Sequence, residues 1–296
     1  NEYNGKDIKY TWEPARFTWS LALAQAYQTT GDERFPELFW QKYEVFTAAN
    51  PVNSGPNWAS AQEVALRAIM WILSVSAFKN SPATTSDRMN SLMLSVRNCV
   101  ERILPTLAYA RSQHNNHLLS EALGLVLGGE FLKGIDPRAD RWIELGMREF
   151  EGAILNQVDN EGNYSQHSAN YHRMMLQLAL LYTAYLNRSG VKLPGTVKER
   201  LSLATRWLIA QLDITSGRLP NLGHNDGTLL LPFGCINYRD YQPTAQAAAI
   251  AFLGNPCLPA GQWDELHNWL GLNSSAPILP PHTVSSPAVY KVGTMS

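Results

Sequence analysis

The sequence predicts an all-α protein, an α/α toroid of antiparallel helix hairpins, complete or partial, ending at the start of a largely missing β-rich domain. Three observations predict it. Apolar residues recur at helical spacing in about ten segments, each bounded by Gly, Pro, Asn or Ser. Strand signals are scarce before the C-terminal tail. The helices are too many for a four-helix bundle and follow no fixed-period consensus, which excludes an ordinary helical solenoid. Hairpins curling around a cleft satisfy all three, with apolar inner helices interrupted by polar residues at the open end.

The elements follow in order. "PARFTWSLALAQAYQTTGD" puts Pro14 in a first helical turn and stops near Gly31. "FPELFWQKYEVFTAAN" comes next and ends at Asn50-Pro51, and "NWASAQEVALRAIMWILSVSAF" begins with Asn57 as its expected cap. Further helices are expected over roughly 87–110, 116–133, 137–157, 168–189, 195–214, 240–253 and 261–270. The tail "NSSAPILPPHTVSSPAVYKVGTMS" turns Ser- and Pro-rich, and its "AVYKVG" reads as a first β-strand. The expected division is therefore a toroid over 1–272 and a linker with one strand over 273–296.

Composition narrows the function. The 296 residues are 45% hydrophobic, enough for a substantial core. A net charge of −1 provides no basic field to collect nucleic acid, so any anion must be held by local groups. No apolar run reaches the ~18 residues of a membrane span, and none is expected. Cys99, Cys235 and Cys257 are odd in number and widely spaced, which argues against a disulfide framework or a Cys-based zinc site.

Four segments hold more polar residues than helix packing needs. "NPVNSGPNWASAQEVALR" places Asn57 and Trp58 at a helix start, with Glu63 and Arg67 one turn apart; an intrahelical ion pair is the plain reading of those two. "HNNHLLSEALGL" lines up Asn115, Asn116 and His117 at a helix mouth, with Glu121 one turn beyond. Either asparagine can cap; the other two groups stand where helix amides favour anions. "NEGNYSQHSANYHRMMLQ" gives His167, Asn170, Tyr171, His172 and Arg173 at the start of a long helix, with Ser168 as cap. "GRLPNLGHNDG" offers Asn221, His224, Asn225 and Asp226 in a loop that is equally well explained by turn chemistry.

These groups are amides, imidazoles and phenols, and no Gly-x-Ser-x-Gly elbow, phosphate loop or His-Glu-x-x-His helix accompanies them. Amide and imidazole donors suit a carboxylate and the enolate-like charge that grows on it. A phenol with its pKa lowered by nearby cations can move a proton. Together they suit removal of the proton α to a uronate carboxylate and β-elimination of the glycosidic oxygen.

At this point "NGKDIKYTWEPARFTWSLALAQAYQTTGD", "NPVNSGPNWASAQEVALRAIMW", "NNHLLSEALGL", "GNYSQHSANYHRMMLQ" and "LPNLGHNDG" resemble, in order, the N-terminal toroid of heparinase II/III-like polysaccharide lyases, which is related to alginate and oligoalginate lyases. The resemblance implies that Asn116 and His117 neutralise the uronate carboxylate and that Tyr171 is the catalytic tyrosine. It implies that His224 and Asn225 line the cleft, and that Trp58, Arg67, His172 and Arg173 contact sugar or carboxylate. The two helix openings are expected to meet around one acidic sugar. An incomplete α/α toroid followed by a C-terminal β-sandwich with a structural metal, an acidic polysaccharide partner, no cofactor in this chain, and a periplasmic or secreted location complete the implication. Two rivals remain: a glycoside hydrolase using Glu63, Glu121, Glu161 or Asp226, and a carbohydrate-binding module without catalysis.

Overall fold

A computed structural model describes residues 7–225, 229–234 and 237–279. Asp226 and Cys235, the expected strand "AVYKVG" and most of the expected linker lie outside them. Within the stretch expected to form the toroid, the helices fall into two compact units, Asn1–Asn156 with Leu230–Phe233, and Gln157–Leu229 with Gly234–Ser296.

The first unit holds α1 (Lys9–Ala15), α2 (Ser20–Thr30), α3 (Arg34–Ala49), α4 (Ala61–Phe78), α5 (Ser86–Ile103), α6 (Leu107–Gln113), α7 (Asn116–Phe131) and nearly all of α8 (Ala139–Gln157). The segment expected as one helix to Gly31 breaks between α1 and α2, where Phe17 takes a left-handed φ of 63°. Pro105 breaks the segment expected over 87–110, and a 3₁₀ turn over Leu104–Thr106 divides it into α5 and α6. Asn57 does not cap α4; it lies in a 3₁₀ turn, Pro56–Trp58, and α4 starts after Ser60.

Helix α4 is long and apolar enough to cross a membrane by composition, yet 83% of it is buried in protein, and it is the core helix of this unit. Trp71 on α4 meets Phe17 and Tyr43 edge-on, with ring centroids 5.5 and 5.2 Å apart. Glycines let α7 approach its neighbours. A β-carbon on Gly124 would fall 2.9 Å from Cβ of Ala65 and 3.2 Å from Ile103, and one on Gly128 would fall 2.6 Å from Val100. That register makes α5 and α7 antiparallel. A short turn makes α4 and α5 a hairpin, so α4 and α7 run parallel, with their first turns at the same end.

In the second unit α9 (Ala169–Arg188) is buried along almost its whole length. Against it pack α10 (Gly195–Gln211) and α11 (Gln242–Ala248), which runs on into a π-helical turn over Ala249–Leu253, while α12 (Glu265–Trp269) packs on α11. Among the described residues there is no strand, only the isolated bridges Val158–Tyr164 and Asp213–Arg218.

Candidate functional site

The opening of α7, in the first unit, is organised by one asparagine. Asn115 has extended backbone, and its Oδ1 accepts the His117 amide N–H at 3.0 Å. It is the cap, which leaves Asn116 as the first helical residue, buried, and His117 as the second, half-buried. Burial lowers the His117 pKa below 6.5, and the nearby Glu63 charge opposes that shift. At physiological pH the imidazole is neutral, able to donate from one nitrogen.

Glu63 is not paired with Arg67. Its carboxylate is buried in the first turn of α4 and gripped from two sides by Arg16, at 2.6 Å from Nε and 2.8 Å from Nη2. Arg67, one turn further on, is 0% exposed. Its Nη2 donates to the Asn57 carbonyl at 2.9 Å, and its guanidinium lies over Phe46, Trp58 and Trp71, 5.0 to 5.7 Å from their centroids. Arg102 donates to the next two carbonyls, Trp58 at 3.1 Å and Ala59 at 3.0 Å. Two arginines thus clamp three successive carbonyls and fix the turn that carries Trp58, itself buried. Glu121 is buried too; Thr106 donates to it at 3.3 Å, and burial pushes its pKa up to about 7.

The opening of α9, in the second unit, has a strap. Ser168 is the cap, as expected: its Oγ accepts the Tyr171 N–H at 3.3 Å and donates to the His224 carbonyl at 2.6 Å. The Ala169 N–H donates to the Leu222 carbonyl at 3.0 Å. Gly223, at φ +68°, passes so close that a β-carbon there would lie 2.2 Å from the His167 carbonyl oxygen. Only glycine fits. The loop bearing His224 and Asn225 is thereby pinned across the helix start, with both residues exposed and Tyr171 half-exposed.

The residues after Tyr171 turn inward. Nε2 of His172 is 2.9 Å from the Ala204 carbonyl, which can only accept, so Nε2 carries the proton. The ring stacks on Trp207 at 4.4 Å, and burial takes its pKa down to about 4. Arg173 is 0% exposed between the rings of Tyr238 and Tyr241; it donates to Asn170 Oδ1 at 2.8 Å and to the Tyr238 carbonyl at 2.5 Å. The Tyr238 hydroxyl also donates to Asn170 Oδ1 at 3.0 Å and lies 3.5 Å from Asn225 Oδ1. Beneath the strap a cavity of about 140 Å³ is lined by Tyr164, His167, Ser168, His172, Trp207 and Leu222 among others.

The nine candidate residues therefore divide. His117, Tyr171, His224 and Asn225 reach solvent at the two helix openings, and Asn116 sits just behind one of them. Trp58, Arg67, His172 and Arg173, expected to contact sugar, are buried; protein carbonyls and rings occupy them, and as folded they brace the starts of α4 and α9. Arg16, Arg102 and Tyr238 are not legible as partners, because the residues they hold lie 43 to 68 positions away. Among the described residues no group of three or more His, Cys, Asp or Glu could hold a metal ion. Glu63 and Glu121, two of the rival hydrolase's carboxyls, are buried.

The model of the family described as Heparinase II/III N-terminus matches residues 2–227. The chain belongs to that family. A heparin-sulfate lyase of Bacteroides thetaiotaomicron is 24% identical over 210 residues, covering 69% of this chain and 29% of that protein. A heparin-sulfate lyase of Pedobacter heparinus is 26% identical over 181 residues, covering 59% and 26%. Among solved structures, a heparinase III crystal structure aligns with a TM-score of 0.60 at 20% identity, over 73% of this chain and 33% of that one. The heparan sulfate lyase HepC from Pedobacter heparinus aligns at 0.55 and 23%, over 74% and 34%. These likenesses show the fold, and its class is the all-α toroid expected from the sequence. The chain spans less than a third of the length of the two curated relatives.

Proposed function

We propose that the protein carrying this chain is a polysaccharide lyase that cleaves uronate-containing glycans by β-elimination. The reading is carried by the pairing of family membership with two donor-rich helix openings, one with His117 at the surface and Asn116 behind it, the other with Tyr171 at a helix start crossed by the loop bearing His224 and Asn225. In this reading Asn116 and the neutral His117 donate hydrogen bonds to the uronate carboxylate. That spreads the charge left when the C5 proton departs. The C5–H electron pair forms the C4–C5 double bond, and the C4–O bond breaks. Tyr171 acts as both base and acid: its phenolate takes the C5 proton, and the phenol so formed returns that proton to the leaving oxygen. His224 and Asn225 line the sugar's approach.

The names of the relatives favour a heparan-sulfate-type polymer. The net charge of −1 favours recognition of the carboxylate over dense sulfation, and leaves alginate and exopolysaccharide uronates as substrates to compare. With such a polymer the protein works in the periplasm or outside the cell, and further site groups and a structural metal belong to a C-terminal β-sandwich. A panel of uronate polymers incubated with the whole protein tests the reading. A lyase yields an unsaturated, ultraviolet-absorbing sugar end; new reducing ends without absorbance would indicate a hydrolase, and binding without either would indicate a carbohydrate-binding module.

A further inference from the structure

We infer that the buried Arg16–Glu63 ion pair is a positioning pair for His117, with Arg16 masking the carboxylate that would otherwise face the anion-binding end of α7. The inference rests on His117 being a site residue. Its geometric basis lies within the first unit. Helices α4 and α7 are parallel and closely packed, so Glu63 in the first turn of one stands at the same end as His117 in the first turn of the other. A bare carboxylate there would repel an incoming uronate and draw a proton onto the imidazole. Arg16 spends two donors on it, at 2.6 and 2.8 Å, in a site where both side chains are at least nine-tenths buried.

Several other charged groups on the elements packed against α7 are engaged elsewhere. On α4, Arg67 is held by Asn57 and three rings. Arg102 of α5 is turned to the Trp58 and Ala59 carbonyls. Arg111 of α6 is paired with Glu149 of α8 at 2.7 Å. Glu121 lies one turn further along α7 and is held neutral up to about pH 7. Burial lowers the His117 pKa, and the Glu63 charge that Arg16 leaves unneutralised opposes that shift.

Opposite shifts in the His117 titration test the pair. Imidazole resonances are followed by NMR in the whole protein and assigned by their loss in His117→Gln. Glu63→Gln leaves Arg16 unmasked and lowers the His117 pKa further. Arg16→Gln leaves Glu63 unmasked, raises that pKa, and raises KM for a uronate substrate more than it lowers kcat. The double variant returns the pKa close to its parent value. Arg16→Lys keeps a cation but loses the two-pronged grip; it gives a smaller rise and guards against misfolding of the stronger variants. A His117 pKa that stays put in folded Arg16→Lys and in the double variant's single parents, or moves in the same direction in both single variants, overturns the inference. The titration is read without turnover, so its outcome stands apart from whether the protein is a lyase.

Discussion

Consecutive residues on a helix point about 100° apart, so Tyr171, His172 and Arg173 cannot all face one ligand. Here Tyr171 reaches the surface while His172 and Arg173 are turned into protein. The sequence showed a dense polar cluster but not which member faces out, because that depends on how α9 rolls against α10 and α11. Burial also splits two titrations in opposite directions. Glu121, raised from 4.5 to about 7, is protonated in the folded state where the unfolded chain is ionised, so stability falls as pH rises from about 4.5 to 7. His172, lowered from 6.5 to about 4, stays neutral where the unfolded chain is charged, so stability falls as pH drops from about 6.5 to 4. Thermal midpoints measured against pH therefore separate two variants. The Glu121→Gln midpoint gains on the parent as pH rises through the upper window. The His172→Phe midpoint gains on the parent as pH falls through the lower one.

At the scale of elements, the register between helices is written in glycine. On α8, a β-carbon at Gly146 would lie 2.6 Å from the Ala122 carbonyl and 2.9 Å from the Val126 amide, both backbone atoms of α7. Gly152, further along the same helix, has nothing within 4 Å. One substitution thus has two signs: Gly146→Ala is expected to cost about 1–3 kcal/mol by overpacking, and Gly152→Ala to gain about 0.5–1 kcal/mol in helix propensity. Chemical denaturation of both variants reads the difference. Hydropathy placed these helices well, since a core-facing stripe repeats locally whatever it packs against. It missed the breaks at Phe17 and Pro105 and the short 3₁₀ turn at Trp58, where the chain bends to reach partners far along the sequence. The Glu63 partner was misread for the same reason. An i, i+4 arginine was visible on the helix, while Arg16, 47 residues away, was not.

Over the whole molecule, the sequence carried the fold class and the family, because the segments that define them are contiguous and ordered along the chain. The candidate site was legible only in part. Its helix openings stood out as polar residues beside apolar runs, but the strap across α9 and the arginine clamps around Trp58 are products of tertiary packing. The chain supplies less than a third of the length of its curated relatives, so activity has to be measured on the whole protein. The decisive comparison is between that protein and its Tyr171→Phe variant, each incubated with its best uronate polymer while product absorbance and polymer binding are recorded. Loss of the phenolic hydroxyl is expected to lower turnover about 100-fold or more, the scale of a lost proton-transfer group, with binding changed little. Turnover retained in a folded Tyr171→Phe protein would contradict the account.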